Sequence, residues 1–234
     1  MPRMKPLCLL FLPFLLVFLA AEFSFREEGI AAAADSFDPA VHGALKQMGC
    51  SGRDLLAWGD EIPNSCLFTF WAWPPEKQRQ AAAVALHVKR ANPSVTPRAC
   101  WRMGTAFTLA SVRFGVPLDL AVAVARAESG FNPAAKSPAG ATGVMQVMPG
   151  LHHDLLALRF GAPDKWSLVD PEKAILAGSF LLAGYLREEG TLEGALARYL
   201  GAADSAYRER VARFRAEAAL ALAGQPSSFV LPKP

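Results

Sequence analysis

Leu118 to Glu128 reads Leu-Asp-Leu-Ala-Val-Ala-Val-Ala-Arg-Ala-Glu, an apolar segment of helical period that ends on a carboxylate. At spacings of three, four, seven and eight residues, Glu128 shares a face with Ala125, Val124, Ala121 and Leu120, while Arg126 falls on a different face. A stripe of this kind is buried, and the carboxyl group at its end is desolvated with it. In the last turn the group also meets the negative end of the helix dipole. Both effects favour the protonated acid, so Glu128 is a candidate general acid.

The residues that follow stop this helix and turn the chain: Ser129, Gly130, Phe131, Asn132 and Pro133, then Ser137, Pro138, Ala139, Gly140, Ala141, Thr142 and Gly143. Glycines at 140 and 143 allow a backbone to approach a ligand closely. Val144, Met145, Gln146, Val147, Met148 and Pro149 then form a short apolar turn displaying one amide side chain. Gln146 can donate and accept, which suits sugar hydroxyl and N-acetyl groups.

Helical patterning dominates elsewhere. It predicts helices over Pro39 to Gly49, Pro75 to Arg90, Pro97 to Phe114, Leu118 to Glu128, Pro171 to Glu188, Thr191 to Leu200 and Asp204 to Ala223. Asp170 before Pro171 is a cap with proline at the first helical position, Gly190 ends that helix, and Thr191 opens the next. Residues 35–96 read as a separate N-terminal piece of unknown role. It has a turn-rich stretch from Gly49 to Asn64 and an aromatic run, Phe68, Phe70, Trp71 and Trp73, whose alternation permits a short strand. With 52% hydrophobic residues the chain is globular, and a net charge of +3 is too small for a dedicated nucleic-acid binder.

Arg3 and Lys5 precede an apolar run from Leu7 to Ala21 that is broken by Pro13. This is short for a bilayer span, for which roughly 20 residues are needed, and it reads as an export signal. The leader is placed at residues 1–34, with cleavage at Ala20, Ala21, Ala32 or Ala34. An uncleaved anchor stays open, because Pro6, Ala20 and Ala21 can lengthen the run; the leader is then the one membrane contact. Export takes the protein to the periplasm or outside the cell, an oxidising compartment. There Cys50 and Cys66 close the shortest disulfide loop, Cys100 is the alternative partner, and three buried thiols are the third reading.

The order Glu128, Ser129, Gly130, Phe131, Asn132, Pro133, Ala135, Ser137, Gly140, Ala141, Gly143, Val144, Met145, Gln146, Met148, Pro149 resembles the catalytic motif of the soluble lytic transglycosylase family. Phe114, Gly115, Val116, Pro117 and Leu118 before it, and Asp170, Pro171, Glu172, Gly178, Tyr185 and Leu186 after it, are similar to that family as well. The resemblance spans Pro97 to Ala223. It implies a mainly α fold, with a lysozyme-like helical catalytic domain at 97–223 after the small N-terminal extension and a tail at 224–234. Two positions depart from the family: Leu200 follows Tyr199 where the family has asparagine, and Leu151 stands where threonine often caps a helix.

The resemblance implies that Glu128 is the catalytic residue and that Ser129, Met145, Gln146 and Tyr199 bind substrate, with Tyr199 reaching toward the acid. The substrate is then the peptidoglycan glycan strand. Glu128 protonates the glycosidic oxygen between N-acetylmuramic acid and N-acetylglucosamine, then accepts the proton of the C6 hydroxyl, giving a 1,6-anhydro product. No cofactor enters this chemistry. His152, His153 and Asp154 read as a surface helix start and not as a metal site. Arg208, Arg210, Arg213 and Arg215 read as a solvated helix face. Two rivals remain at this level: a lysozyme-type muramidase, and a non-catalytic wall-binding component of a secretion or conjugation apparatus, against which the retention of Glu128 speaks.

Overall fold

A computed structural model describes residues 29, 31–62, 64–161 and 167–224. The expected leader lies outside the described residues up to residue 28, and the tail lies outside them after 224. Helices dominate the described chain: α1 Pro39–Gln47, α2 Gly52–Asp60, α3 Pro75–Ala91, α4 Pro97–Phe114, α5 Leu118–Ser129, α6 Pro149–Phe160, α7 Pro171–Glu189, α8 Leu192–Leu200 and α9 Ser205–Leu222. The protein is mainly α.

The starts and stops follow from side-chain chemistry. Asp38, Thr96, Asp170, Thr191 and Asp204 each accept a hydrogen bond from the first-turn amides of the helix they precede. Gly115, Gly130, Gly190 and Gly201 end α4, α5, α7 and α8 in the left-handed conformation. The caps expected at Asp170 and Thr191 are present.

Every residue of α5 from Leu120 to Ala125 is buried, so α5 is a central helix. α9 packs along it, α4 lies between α3 and α7, and α8 covers α7. The closest approach is between α3 and α4: a Cβ on Gly104 would stand 2.4 Å from the Ala81 carbonyl oxygen. Two ion pairs, Arg126–Glu217 and Asp119–Arg215, clip α9 to α5, and the Arg126 guanidinium stacks over Phe214 at 4.2 Å.

The N-terminal stretch differs from its reading in the sequence in four ways. First, the turn-rich segment contains α2, which a capping box starts: the Ser51 hydroxyl accepts from Asp54 N and the Asp54 carboxylate accepts from Ser51 N. Second, the aromatic run forms a 3₁₀ turn, Phe70–Ala72, instead of a strand: Phe70 is buried on Phe37, Trp73 and Trp101, while Phe68 and Trp71 are exposed. Third, the stretch has no core of its own. Phe37, Val41, Leu45, Leu55 and Phe70 belong to one hydrophobic cluster with Trp101, Phe107 and Val124.

The fourth difference is the expected Cys50–Cys66 disulfide, which is not formed: Cys50, Cys66 and Cys100 are free thiols. The nine residues of α2 lie between the first two. They end in different surroundings, Cys50 near Lys89 and Cys66 beside Glu172 and Arg102.

Glu172 explains the placement of Cys66. The sequence places this residue at a helix start or facing solvent, yet its carboxylate is buried, accepting from Ser65 Oγ at 2.6 Å, Cys66 N at 2.9 Å and Arg102 Nε at 2.8 Å. Arg102 also binds Asp170 at 2.6 Å. One carboxylate thus ties α7, α4 and the N-terminal stretch together, with every lone pair it needs satisfied.

Burial pushes the Cys100 thiol up to about 12 and raises Cys66 as well, so both stay protonated at neutral pH and are shielded from reagents. In native protein a thiol-alkylating reagent should therefore modify Cys50 first, with Cys66 and Cys100 protected until unfolding. After unfolding without reductant, all three should be alkylated. Peptide mass mapping checks this, and a linked Cys50–Cys66 peptide pair would reverse the conclusion.

Candidate active site

Glu128 sits in the last turn of α5, where Gly130 and Phe131 are both left-handed, at φ 59° and 64°. Two such residues in succession reverse the chain. The side chain of Phe131 is fully buried against His87, and Asn92 Nδ2 donates to Gly130 O at 2.8 Å, so the turn is fixed from α3. The positive φ at Phe131 is a strained position for a side chain of this size, and its burial supplies the compensation.

The chain then folds into a compact loop over the end of α5. Gly143 N donates to Ala135 O at 2.8 Å, and Thr142 pairs through isolated bridges with both Lys136 and Val147. Gly143 has φ 79°, and an added Cβ would collide with Leu168 O, so this position admits no side chain. Gln146 also has a positive φ, 46°, and its Nε2 donates to Ala135 O at 3.1 Å and Gly143 O at 3.0 Å. Its amide donors therefore brace the loop from within. The acceptor Oε1 is the part of this side chain left for a ligand.

Ser129 Oγ donates to Val144 O at 2.7 Å, binding the end of α5 to the loop. Met145 is fully buried, and its carbonyl accepts from Tyr199 Oη at 2.8 Å. Gly178 on α7 leaves room for this contact: a Cβ there would come within 2.6 Å of Met145 Cβ and 2.9 Å of Tyr199 Oη. The structure thus brings Glu128, Ser129, Met145, Gln146 and Tyr199 into one continuous arrangement. Tyr199, however, bonds the Met145 carbonyl and not the acid.

The hydrogen bond to Glu128 comes from Tyr207, whose Oη donates to Glu128 Oε1 at 2.5 Å. Sequence reasoning missed Tyr207 because it stands at the head of an arginine-rich helix read as a solvated face. A signal was present: Tyr207, Val211 and Ala218 share the helical spacing of the one buried stripe of α9. The Arg210 guanidinium lies 5.4 Å from the Tyr207 ring.

Burial raises the Glu128 carboxyl above the ordinary carboxylate range, outweighing the Tyr207 hydrogen bond and the Arg210 charge, which both pull it down. Tyr207 is driven up in turn, by burial first and then by the Glu128 charge, and keeps its proton. The donor and acceptor in this pair are thereby fixed: the phenol donates, and the carboxyl group is the one that titrates.

The departures from the motif have visible structural effects. Leu151 lies exposed on α6, whose start at Met148 carries no side-chain cap. Leu200 is exposed at the end of α8. Two surface clefts lie elsewhere, one of 590 Å³ between α5, α8 and α9, the other of 720 Å³ between α1, α3 and the end of α9, and neither is lined by a site residue.

Residues 105–218 match the family model described as Transglycosylase SLT domain. The match covers 114 of the 234 residues and takes in the whole of the candidate site, from Glu128 to Tyr207. It is 43% identical over 70 residues to the soluble lytic murein transglycosylase of Escherichia coli K12, covering 29% of this chain and 11% of the relative. It is 42% identical over 77 residues to the membrane-bound lytic murein transglycosylase C of Edwardsiella ictaluri, covering 32% of this chain and 21% of the relative. The matched segment is thus a small part of either relative. Among solved structures, the 70 kDa soluble lytic transglycosylase of Escherichia coli aligns with 20% identity and a TM-score of 0.39, over 88% of this chain and 40% of that one.

A raised carboxyl pKa links the site to stability. Native Glu128 holds its proton at pH values where the unfolded chain has released it, so stability falls as pH rises from the ordinary carboxyl range through the raised value. Glu128→Gln removes this cost. The variant should melt above the parent at pH 8, with the difference shrinking toward pH 4, as followed by thermal denaturation across that range.

Proposed function

We propose that the protein is a peptidoglycan lytic transglycosylase of the cell envelope, cleaving the β-1,4 bond between N-acetylmuramic acid and N-acetylglucosamine with formation of 1,6-anhydro-N-acetylmuramic acid. The observation that carries this reading is a solitary acid. Glycosidases with two carboxyl groups hold them about 5–9.5 Å apart. The hydrogen-bond partner of Glu128 is the Tyr207 phenol, and the charge that pulls on it is the Arg210 guanidinium. Asp170 and Glu172 are committed to Arg102, and Asp154 is exposed beside His153.

One carboxyl group suffices when the nucleophile belongs to the substrate. Protonated Glu128 gives its proton to the glycosidic oxygen as the C1–O bond breaks. The muramyl C6 oxygen then bonds to C1, and its proton returns to Glu128, so no water is consumed and the acid is regenerated. Burial raises the Glu128 carboxyl and so favours the protonated form that the first step uses. Tyr207 donates to the carboxylate that exists between the two steps, a hydrogen bond of the charged type that contributes about 1.5–3 kcal/mol. Ser129, Met145, Gln146 and Tyr199 shape the wall that receives the sugar. The names of the relatives and the leader-like N-terminus support an envelope location, periplasmic or secreted.

Glu128→Gln should fold and bind glycan while losing about 10²–10⁴-fold in turnover. Mass spectrometry of digests of purified sacculi should show anhydromuramyl ends from the parent protein. Reducing-end muramic acid as the main product would make it a hydrolase, and activity persisting in Glu128→Gln would move the catalyst elsewhere.

Tyr207→Phe should lower turnover by about tenfold to a hundredfold, equivalent to about 1.4–2.7 kcal/mol. Loss of this donor raises the Glu128 pKa further, so the high-pH limb of the rate profile should move to higher pH. A pH series on one soluble glycan substrate reads both effects.

A further inference from the structure

The arginines of α9 fall into two groups. Arg208 pairs with Glu193, and Arg215 pairs with Asp119. Arg210 and Arg213, one helical turn apart, are exposed and have no carboxylate partner among the described residues; each lies against an aromatic ring, Arg210 on Tyr207 at 5.4 Å and Arg213 on Phe214 at 5.0 Å. The Tyr207 ring that carries Arg210 is the ring whose hydroxyl binds Glu128.

A bare guanidinium beside this acid is a liability for the proposed chemistry. It favours the ionised form of Glu128, and it opposes the positive charge that develops on the sugar as the glycosidic bond breaks. A substrate that brings its own anion to the guanidinium removes both effects. Resting on the transglycosylase reading, we propose that Arg210, supported by Arg213, is a carboxylate-binding subsite that recognises the acidic substituent of the muramyl residue beside Glu128. Arg210 presents a planar fork of donors matched to a carboxylate and lies over the Tyr207 ring. The carboxylate has two sources in the glycan, the free lactyl group of a peptide-free strand or the stem peptide of a substituted one.

The test compares the parent with Arg210→Gln, Arg210→Lys and Arg210→Gln/Arg213→Gln on three soluble glycans: amidase-stripped strands with free lactyl carboxylates, the same strands methyl-esterified, and peptide-bearing strands. Affinity is measured by titration and turnover by product release. For Arg210→Gln, the loss of affinity on at least one carboxylate-bearing glycan should exceed the loss on the esterified glycan by about fivefold to twentyfold, the excess shrinking as salt is raised. Arg210→Lys should recover part of it. An excess confined to stripped strands assigns the lactyl group, and one confined to substituted strands assigns the stem peptide. Equal losses on charged and esterified glycans, or none on either, would overturn the subsite. A parent protein that binds these glycans with the same charge preference but releases no anhydromuramyl product would instead overturn the catalytic reading alone.

Discussion

A carboxyl group carried into the interior at the end of an apolar helix needs a hydrogen-bond donor, and Tyr207 supplies it to Glu128 at 2.5 Å. Much of the architecture serves that meeting. α5 is buried from Leu120 to Ala125, which draws Glu128 at its end partly out of water, and α9 must lie along α5 for the tyrosine to reach it. The ion pairs Arg126–Glu217 and Asp119–Arg215 hold the two helices in that relation. The balance at the acid follows from the same geometry. Burial lifts its pKa, the phenol and Arg210 pull against that lift, and burial prevails.

Around this pair, polar groups are spent on holding the backbone rather than left open. Gln146, Ser129 and Tyr199 all donate to carbonyl groups of the loop between α5 and α6. The loop has little regular structure, and its left-handed positions at Gly130, Phe131, Gly143 and Gln146 carry a conformational cost. These side-chain hydrogen bonds offset it and give the acid a rigid surround, which is what holding a ligand in one position requires.

The N-terminal stretch is joined to this framework through Glu172. Its buried carboxylate gathers Arg102, Ser65 and the Cys66 amide, while Phe70 inserts against Trp101 and the small residues of α3 admit α4 at Gly104. Removing one partner from such a cluster leaves an uncompensated charge in the interior. The stretch before α4 therefore shares its folding with the helices that carry the site.

Helix content, most helix boundaries and the position of the acid were readable from the chain, because caps, glycine stops and the 3.6-residue period act over a few neighbours. Desolvation of Glu128 was readable for the same reason, since one apolar stripe implies it. α2 was legible through its Ser51–Asp54 capping box but was hidden among turn residues. The donor to Glu128 was not legible: Tyr199 on α8 and Tyr207 on α9 both follow α7, and only the packing of α9 on α5 selects the second. The thiols follow the same division. Spacing favoured Cys50 with Cys66, but α2 separates them and Glu172 on a distant segment holds the second, because pairings made across more than a hundred residues are settled by tertiary packing and leave no local trace.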